Sequence, residues 1–115
     1  MSSSRLAALS RRSDATAGVF AALGDSTRLS LVLSLSRGRR QSIAQLTANK
    51  PLTRQAISKH LRILESAGVV NSQREGRENL FALNPAALDQ LRAYVAQISE
   101  QWDDSLARLK AFVEK

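Results

Sequence analysis

The sequence predicts a mostly α-helical fold with one small β-hairpin, on three observations. Apolar residues recur at spacings of three and four along most of the 115 residues. A helix rich in hydrogen-bonding side chains, TRQAISKHLRILESA at 53–67, runs into Gly68, a natural left-handed stop. Two strand-like runs then follow across a short basic turn, VVNSQR at 69–74 and NLFAL at 79–83. This order of about five helices and a hairpin is the layout of a winged helix-turn-helix, in which one helix enters the DNA major groove and the hairpin touches the flanking backbone.

Residues 1–12 show little sustained period and are expected to form a flexible lead-in to a domain spanning 13–115. The first helix is predicted from Ser13 to Leu23, capped by Ser13 or Asp14, with Ala15, Val19, Phe20, Ala22 and Leu23 on its apolar side. Gly24 ends it and Asp25 caps a second helix to about Ser36. That helix carries Leu29, Leu31, Val32, Leu33 and Leu35 on more than one face, which predicts a central place in the core. Arg37-Gly38-Arg39-Arg40 reads as a turn, read either as a solvated loop or as a source of phosphate contacts from Arg39 and Arg40.

Ser42 can cap a short helix burying Ile43, Ala44 and Leu46, which the proline of Lys50-Pro51-Leu52 breaks. Thr53 caps the next helix, whose inward face is Ala56, Ile57, Leu61 and Leu64. Glu75-Gly76-Arg77-Glu78 joins the two strands, with Gly76 supplying the unusual backbone angle. Asn84 caps the last helix and Pro85 takes its first turn, where a missing N–H costs nothing. Running nearly to Lys115, this helix would be roughly 45 Å long. Its stripe of Leu88, Leu91, Val95, Ile98, Trp102, Leu106 and Leu109 is too long for so small a body to cover. With Val19 and Phe20 of the first helix, it predicts a homodimer interface; the other reading is packing within one chain.

Composition narrows the function. Apolar residues make up 43%, too many for a disordered tail. No apolar run approaches the roughly 20 residues that span a bilayer, and the N-terminus lacks the apolar core of a secretion signal, so a cytoplasmic protein without a membrane partner is expected. There is no cysteine, which excludes disulfides, thiolate metal sites and thiol switches. His60 is the one histidine, so no histidine cluster forms within a chain. The net charge of +7 divides into +5 over residues 1–40, +3 over 41–83 and −1 over 84–115, which concentrates positive charge where phosphate would be met.

Three segments carry a resemblance: ALGDSTRLSLVLSL at 22–35, LTRQAISKHLRILESAGVV at 52–70 and REGRENLFALNP at 74–85. Together they resemble the ArsR/SmtB family of small winged-helix repressors over most of residues 15–85. The resemblance implies a dimeric transcriptional repressor that binds a pseudo-palindromic operator in double-stranded DNA, with the first and last helices building the dimer interface.

On the recognition helix, Arg54, Gln55 and Ser58 are expected at base edges, since arginine reaches guanine in bidentate fashion and glutamine pairs with adenine. Lys59 and Arg62 are expected nearer phosphates. The resemblance also puts His60 on or near the DNA side, beside the equally open reading of a structural histidine. Thr53 is read as a cap, a phosphate contact, or both. At the wing, Arg74 and Arg77 bracket the turn, with Arg77 the better placed for backbone or minor-groove contact. Arg28 is read as structural, through an ion pair or cap, ahead of the alternative of a DNA contact.

Metal sensing is where the sequence departs from the family. Arsenic, cadmium and lead sensors carry cysteines near the helix before the recognition helix, and the matching SIAQLTA has none. Zinc and nickel sensors place acidic and histidine ligands on the last helix; here Asp89, Glu100, Asp103 and Asp104 stand without a histidine, and carboxylates alone make a poor transition-metal site. The chain is therefore similar to the cysteine-free branch, with no metal site and no cofactor expected. A small-molecule or protein inducer stays open, as does a family member answering to a metal. Asp25, Asp89 and His60 form no nucleophile, base or phosphate-loop arrangement, so no enzyme is expected. The competing class is a winged-helix dimer serving as a protein-interaction module, against which the charge distribution and the polar face of the recognition helix argue.

Overall fold

Among the described residues the chain forms α1 (Ser2–Leu23), α2 (Ser26–Leu35), β1 (Gln41–Ser42), α3 (Ile43–Thr47), α4 (Arg54–Ser66), β2 (Val70–Glu75), β3 (Glu78–Leu83) and α5 (Pro85–Val113). The structure is a computed structural model and describes residues 2–114. Met1 and Lys115, at the ends of the predicted lead-in and last helix, lie outside the described residues.

α1 departs from expectation at its start. It begins at Ser2, so Ser13 and Asp14, expected as caps, lie within it. Residues 2–12 contain alanine, leucine and arginine and neither proline nor glycine, so nothing stops the helix. Of the side chains described there, Arg5, Leu6, Arg11 and Arg12 are exposed. Further along, Thr16, Val19 and Ala22 are buried at helical spacing, whereas Ala15 and Phe20 stay exposed.

Asp25 adopts extended geometry and its side chain accepts from the Arg28 backbone N–H at 3.0 Å, satisfying one of the orphan donors at the start of α2. α2 buries Leu31 and Leu35, but Leu29 and Leu33 are 47% and 67% exposed. α2 thus takes part in the core through Leu31, Leu35 and the partly buried Val32, while Leu29 and Leu33 stay outside it. Ser42 caps α3 in a reciprocal capping box with Gln45, and Leu46 is buried while Ala44 is not.

The sheet has a third strand that the sequence reading missed. β1 pairs antiparallel with β3, Gln41 opposite Phe81 and Ser42 opposite Leu80, giving the order β1-β3-β2. Two residues are too few to show an alternation, and one of them is already committed as a helix cap. The hairpin closes more tightly than expected: Glu75 pairs with Glu78, leaving Gly76 and Arg77 as the turn, with Gly76 at φ 64°. Gly68, at φ 80°, ends α4 as predicted.

Leu31, Leu46, Ile57, Leu61, Leu64, Val69 and Val70 are almost wholly buried and form one core with Val19, Ala22, Leu35 and Phe81. Asn84 holds the last junction. Its side-chain amide donates to the Gly68 carbonyl at 2.9 Å, its backbone N–H donates to the Val69 carbonyl, and its Oδ1 caps α5 at the Ala86 N–H. α5 then leaves the body. Ala87 is buried, Leu88 and Leu91 are half-buried, and every described residue from 92 onward is exposed. The Cα radius of gyration is 18.8 Å, against about 13 Å for a compact chain of this length.

Candidate nucleic-acid interface

α4 is fixed from beneath and free above. Ile57, Leu61 and Leu64 are completely buried and set its rotation. Thr53 fixes its start: the Oγ1 accepts from the Ala56 N–H at 3.1 Å, so the cap is formed and the hydroxyl hydrogen remains free to donate. The preceding connection turns at Asn49, whose φ of 66° was not foreseen and which asparagine tolerates better than most residues.

At 100° per residue, Arg54, Ser58, Arg62, Gln55 and Lys59 fall within one arc of about 140° that starts beside the buried face at Arg54 and turns away from it. Ser58 is half-buried and the other four are exposed. Among the described residues, the side chains of these five make no hydrogen bond or ion pair. Arg54, Gln55, Ser58 and Arg62 line a groove with Ile43 of α3. An amphipathic helix of thirteen residues with such a face is about 20 Å long and matches a major groove about 12 Å wide.

His60 lies off that arc, half-buried beside Ile57 and Leu64. Its Nδ1 is 3.2 Å from Arg28 Nη1 and 3.8 Å from Asp25 Oδ2. Arg28 Nε also donates to the Ala22 carbonyl. Arg28 therefore ties the end of α1 to α4 through the Ala22 carbonyl and His60. The Asp25 carboxyl is held below its ordinary value, chiefly by the hydrogen bond from the Arg28 backbone N–H, then by the charges of Arg28 and His60, against the opposing effect of burial. No local pattern could have revealed the Arg28–His60 pair, whose members stand on separate helices.

The wing follows the period-two rule. Val70 and Phe81 point to the core, so Ser72, Arg74 and Asn79 share their face. Ser72 Oγ donates to Glu65 of α4 and fastens the wing to the recognition helix. Arg74 stands further out on this same face, its Nε 3.5 Å from the Gly76 carbonyl, and Arg77 occupies the turn. Glu75 and Glu78, opposite each other, offset part of that positive charge.

The residues expected at a dimer interface divide. Val19 belongs to the chain's own core and Leu91 packs against it. Phe20 meets Tyr94 edge-on at 5.8 Å, and Gln90 Nε2 donates to the buried Thr16 hydroxyl at 2.9 Å, joining α1 to α5 within the chain. Phe20, Val95, Ile98, Trp102, Leu106 and Leu109 remain between 41% and 65% exposed. Among the described residues, no three histidine, cysteine or acidic side chains gather to hold a metal ion, and no single helix is long and apolar enough to cross a membrane.

Residues 25–72 match the family model for bacterial regulatory proteins of the arsR family. The chain is 39% identical over 79 residues to YuzN, an uncharacterized HTH-type transcriptional regulator of Bacillus subtilis (strain 168), across 64% of this chain and 86% of that one. It superposes on an ArsR-like transcriptional regulator from Rhodococcus sp. RHA1 with a TM-score of 0.74 at 37% identity, covering 86% of this chain and 92% of the other. A homodimeric winged helix-turn-helix DNA-binding domain from Mycobacterium bovis, a possible ArsR-family transcriptional regulator, aligns with a TM-score of 0.62 at 25% identity over 90% of each chain.

Proposed function

The chain belongs to the ArsR family of bacterial regulatory proteins, and from that premise we propose that it is a homodimeric repressor reading a pseudo-palindromic operator. It is a DNA-binding transcriptional regulator and not an enzyme. The observation that carries the finer reading is the arc of five unpaired hydrogen-bonding side chains on α4, next to a wholly buried face that fixes the rotation of the helix. Arg54, Gln55 and Ser58 reach base edges, while Lys59 and Arg62 meet phosphates. Thr53 donates its free hydroxyl hydrogen to a phosphate, and Arg74 and Arg77 bring the wing to the flanking backbone. His60, engaged with Arg28, helps to hold α4 in place.

The dimer forms through α1 and α5 of residues 13–115, by burial of Phe20 and the stripe from Val95 to Leu109. The homodimeric state of the Mycobacterium bovis relative supports this. The protein acts in the cytoplasm, where its DNA is. Control comes from a small organic ligand or a partner protein, since the residues present make a poor transition-metal site.

Footprinting on the DNA upstream of the protein's own gene tests the reading. Two protected half-sites related by a two-fold axis, about 34–36 Å or a multiple apart, are expected. Protection of one isolated half-site, or none under conditions where the protein is folded, overturns it.

A further inference from the structure

The loop between α2 and β1 carries a feature that the DNA-reading surface does not use. Gly38, between Arg37 and Arg39, adopts φ 89°, a left-handed turn that glycine takes without strain. Arg37, Arg39 and Arg40 line one open cleft of about 330 Å³ with Gln41 and Gln45. No acidic side chain lines it. Among the described residues, none of the three arginines has a hydrogen-bond or ion-pair partner.

The two glutamines are held in place by other bonds. Gln41 Nε2 donates to the Ser34 carbonyl at 2.9 Å. Gln45 Oε1 accepts from the Ser42 N–H at 2.9 Å, which leaves the Gln45 amide hydrogens unspent. The cleft is thus walled by three unpaired arginines and an anchored amide donor. Guanidinium is planar, stays protonated and grips phosphate or carboxylate oxygens in pairs.

Its place in the sheet separates it from the wing turn. Gln41 pairs with Phe81, so Arg40 stands level with Ala82, at the root of the hairpin. The turn at Gly76-Arg77 lies beyond Glu78, about 14 Å or more along the strand. The cleft therefore stands at the root of the hairpin and not at its turn.

We propose that the Arg37–Arg39–Arg40 cleft binds a small multivalent anion, of the class of phosphorylated metabolites, and is an effector site of this regulator. The cleft is bordered by β1 and by α3, the helix that precedes the recognition helix, so an anion there bears on the placement of the helix-turn-helix. That last consequence rests on the DNA-binding reading; the anion site does not.

Pyrophosphate is the probe. The full chain is titrated without DNA, followed by NMR at the Gly38 backbone amide and the Gln41 and Gln45 side-chain amides. Saturable shifts at these three groups are expected. Arg39→Gln with Arg40→Gln is expected to weaken binding about tenfold or more. Arg5→Gln with Arg11→Gln, which removes the same charge from α1, is expected to leave it unchanged. In a second arm, the Arg39/Arg40 variant binds operator DNA with an unaltered salt dependence, since these arginines neutralise no DNA phosphates. Loss of about two units of salt slope in that variant, with no pyrophosphate binding to the native chain, overturns the proposal and assigns the arginines to DNA. Equal weakening by both variants also overturns it, because it reduces the effect to net charge. Failure of DNA binding alone, with the anion arm intact, overturns the DNA reading and leaves the site standing.

Discussion

Trp102 is the most informative residue to change on the exposed stripe of α5. A tryptophan side chain offers about 150–250 Å² for burial, and Trp102 is 65% exposed in the single chain. About 100–160 Å² per copy is therefore left to cover, worth roughly 2.5–4 kcal/mol at 25 cal/mol per Å². A symmetric dimer counts it twice, for a ceiling of about 5–8 kcal/mol. Association also costs side-chain ordering and polar desolvation, so about half of this emerges as affinity. Trp102→Ala is expected to cost about 3 kcal/mol and raise the dimer dissociation constant roughly a hundredfold. Sedimentation equilibrium over a wide concentration range measures this directly. Arg108→Ala is the control on the same helix, because Arg108 makes one local bond, to Ser105 at 3.2 Å. Its dissociation constant should stay within about threefold of the native value. A Trp102→Ala protein as dimeric as the native one would refute the reasoning, as would a native chain that sediments as a monomer throughout.

The two faces of α2 predict a contrast in denaturant unfolding: Leu31→Ala, at a fully buried site, should cost about 2–5 kcal/mol, and Leu33→Ala, at a site 67% exposed, under about 1 kcal/mol. Thr53→Ala removes the cap of α4 and should lower stability by about 1 kcal/mol, with weakened DNA binding restored by Thr53→Ser. Asp25 has its carboxyl held below the ordinary value of 3.8, so its contribution is fully present above that pH and disappears as pH falls through the lowered native value. Acid titration of stability in Asp25→Asn should accordingly lose part of the decline that the native chain shows at and below that pH.

Much of the fold was legible because its signals are local. Asp25, Ser42, Thr53 and Asn84 each cap the helix that follows, and a capping side chain needs a partner only two or three residues away. Ile57, Leu61 and Leu64 declared the inward face of α4 by spacing alone, and that face determines by exclusion which side chains remain for DNA. Non-local features were hidden. Whether Leu29 and Leu33 turn inward depends on what packs against α2, which its own period does not state. β1 exists because Phe81 and Leu80 of β3 provide an edge for two residues to pair with. The roles of Arg28 and His60 depend on the packing of α2 against α4. Resemblance put His60 near DNA; its bond to Arg28 could be seen only once α2 and α4 were packed together. α1 continued to Ser2 for the opposite reason: good helix formers extend a helix without any apolar stripe to announce it.

The central claim is that α4 reads DNA through its exposed arc. Binding to the upstream DNA, measured at several salt concentrations for the native chain and for Arg54→Ala with Lys59→Ala, tests it most directly. The account predicts a loss of about 1–3 kcal/mol of sequence discrimination from Arg54 and a salt slope smaller by about one from the phosphate contact of Lys59. Unchanged affinity and an unchanged slope in the double variant would contradict it.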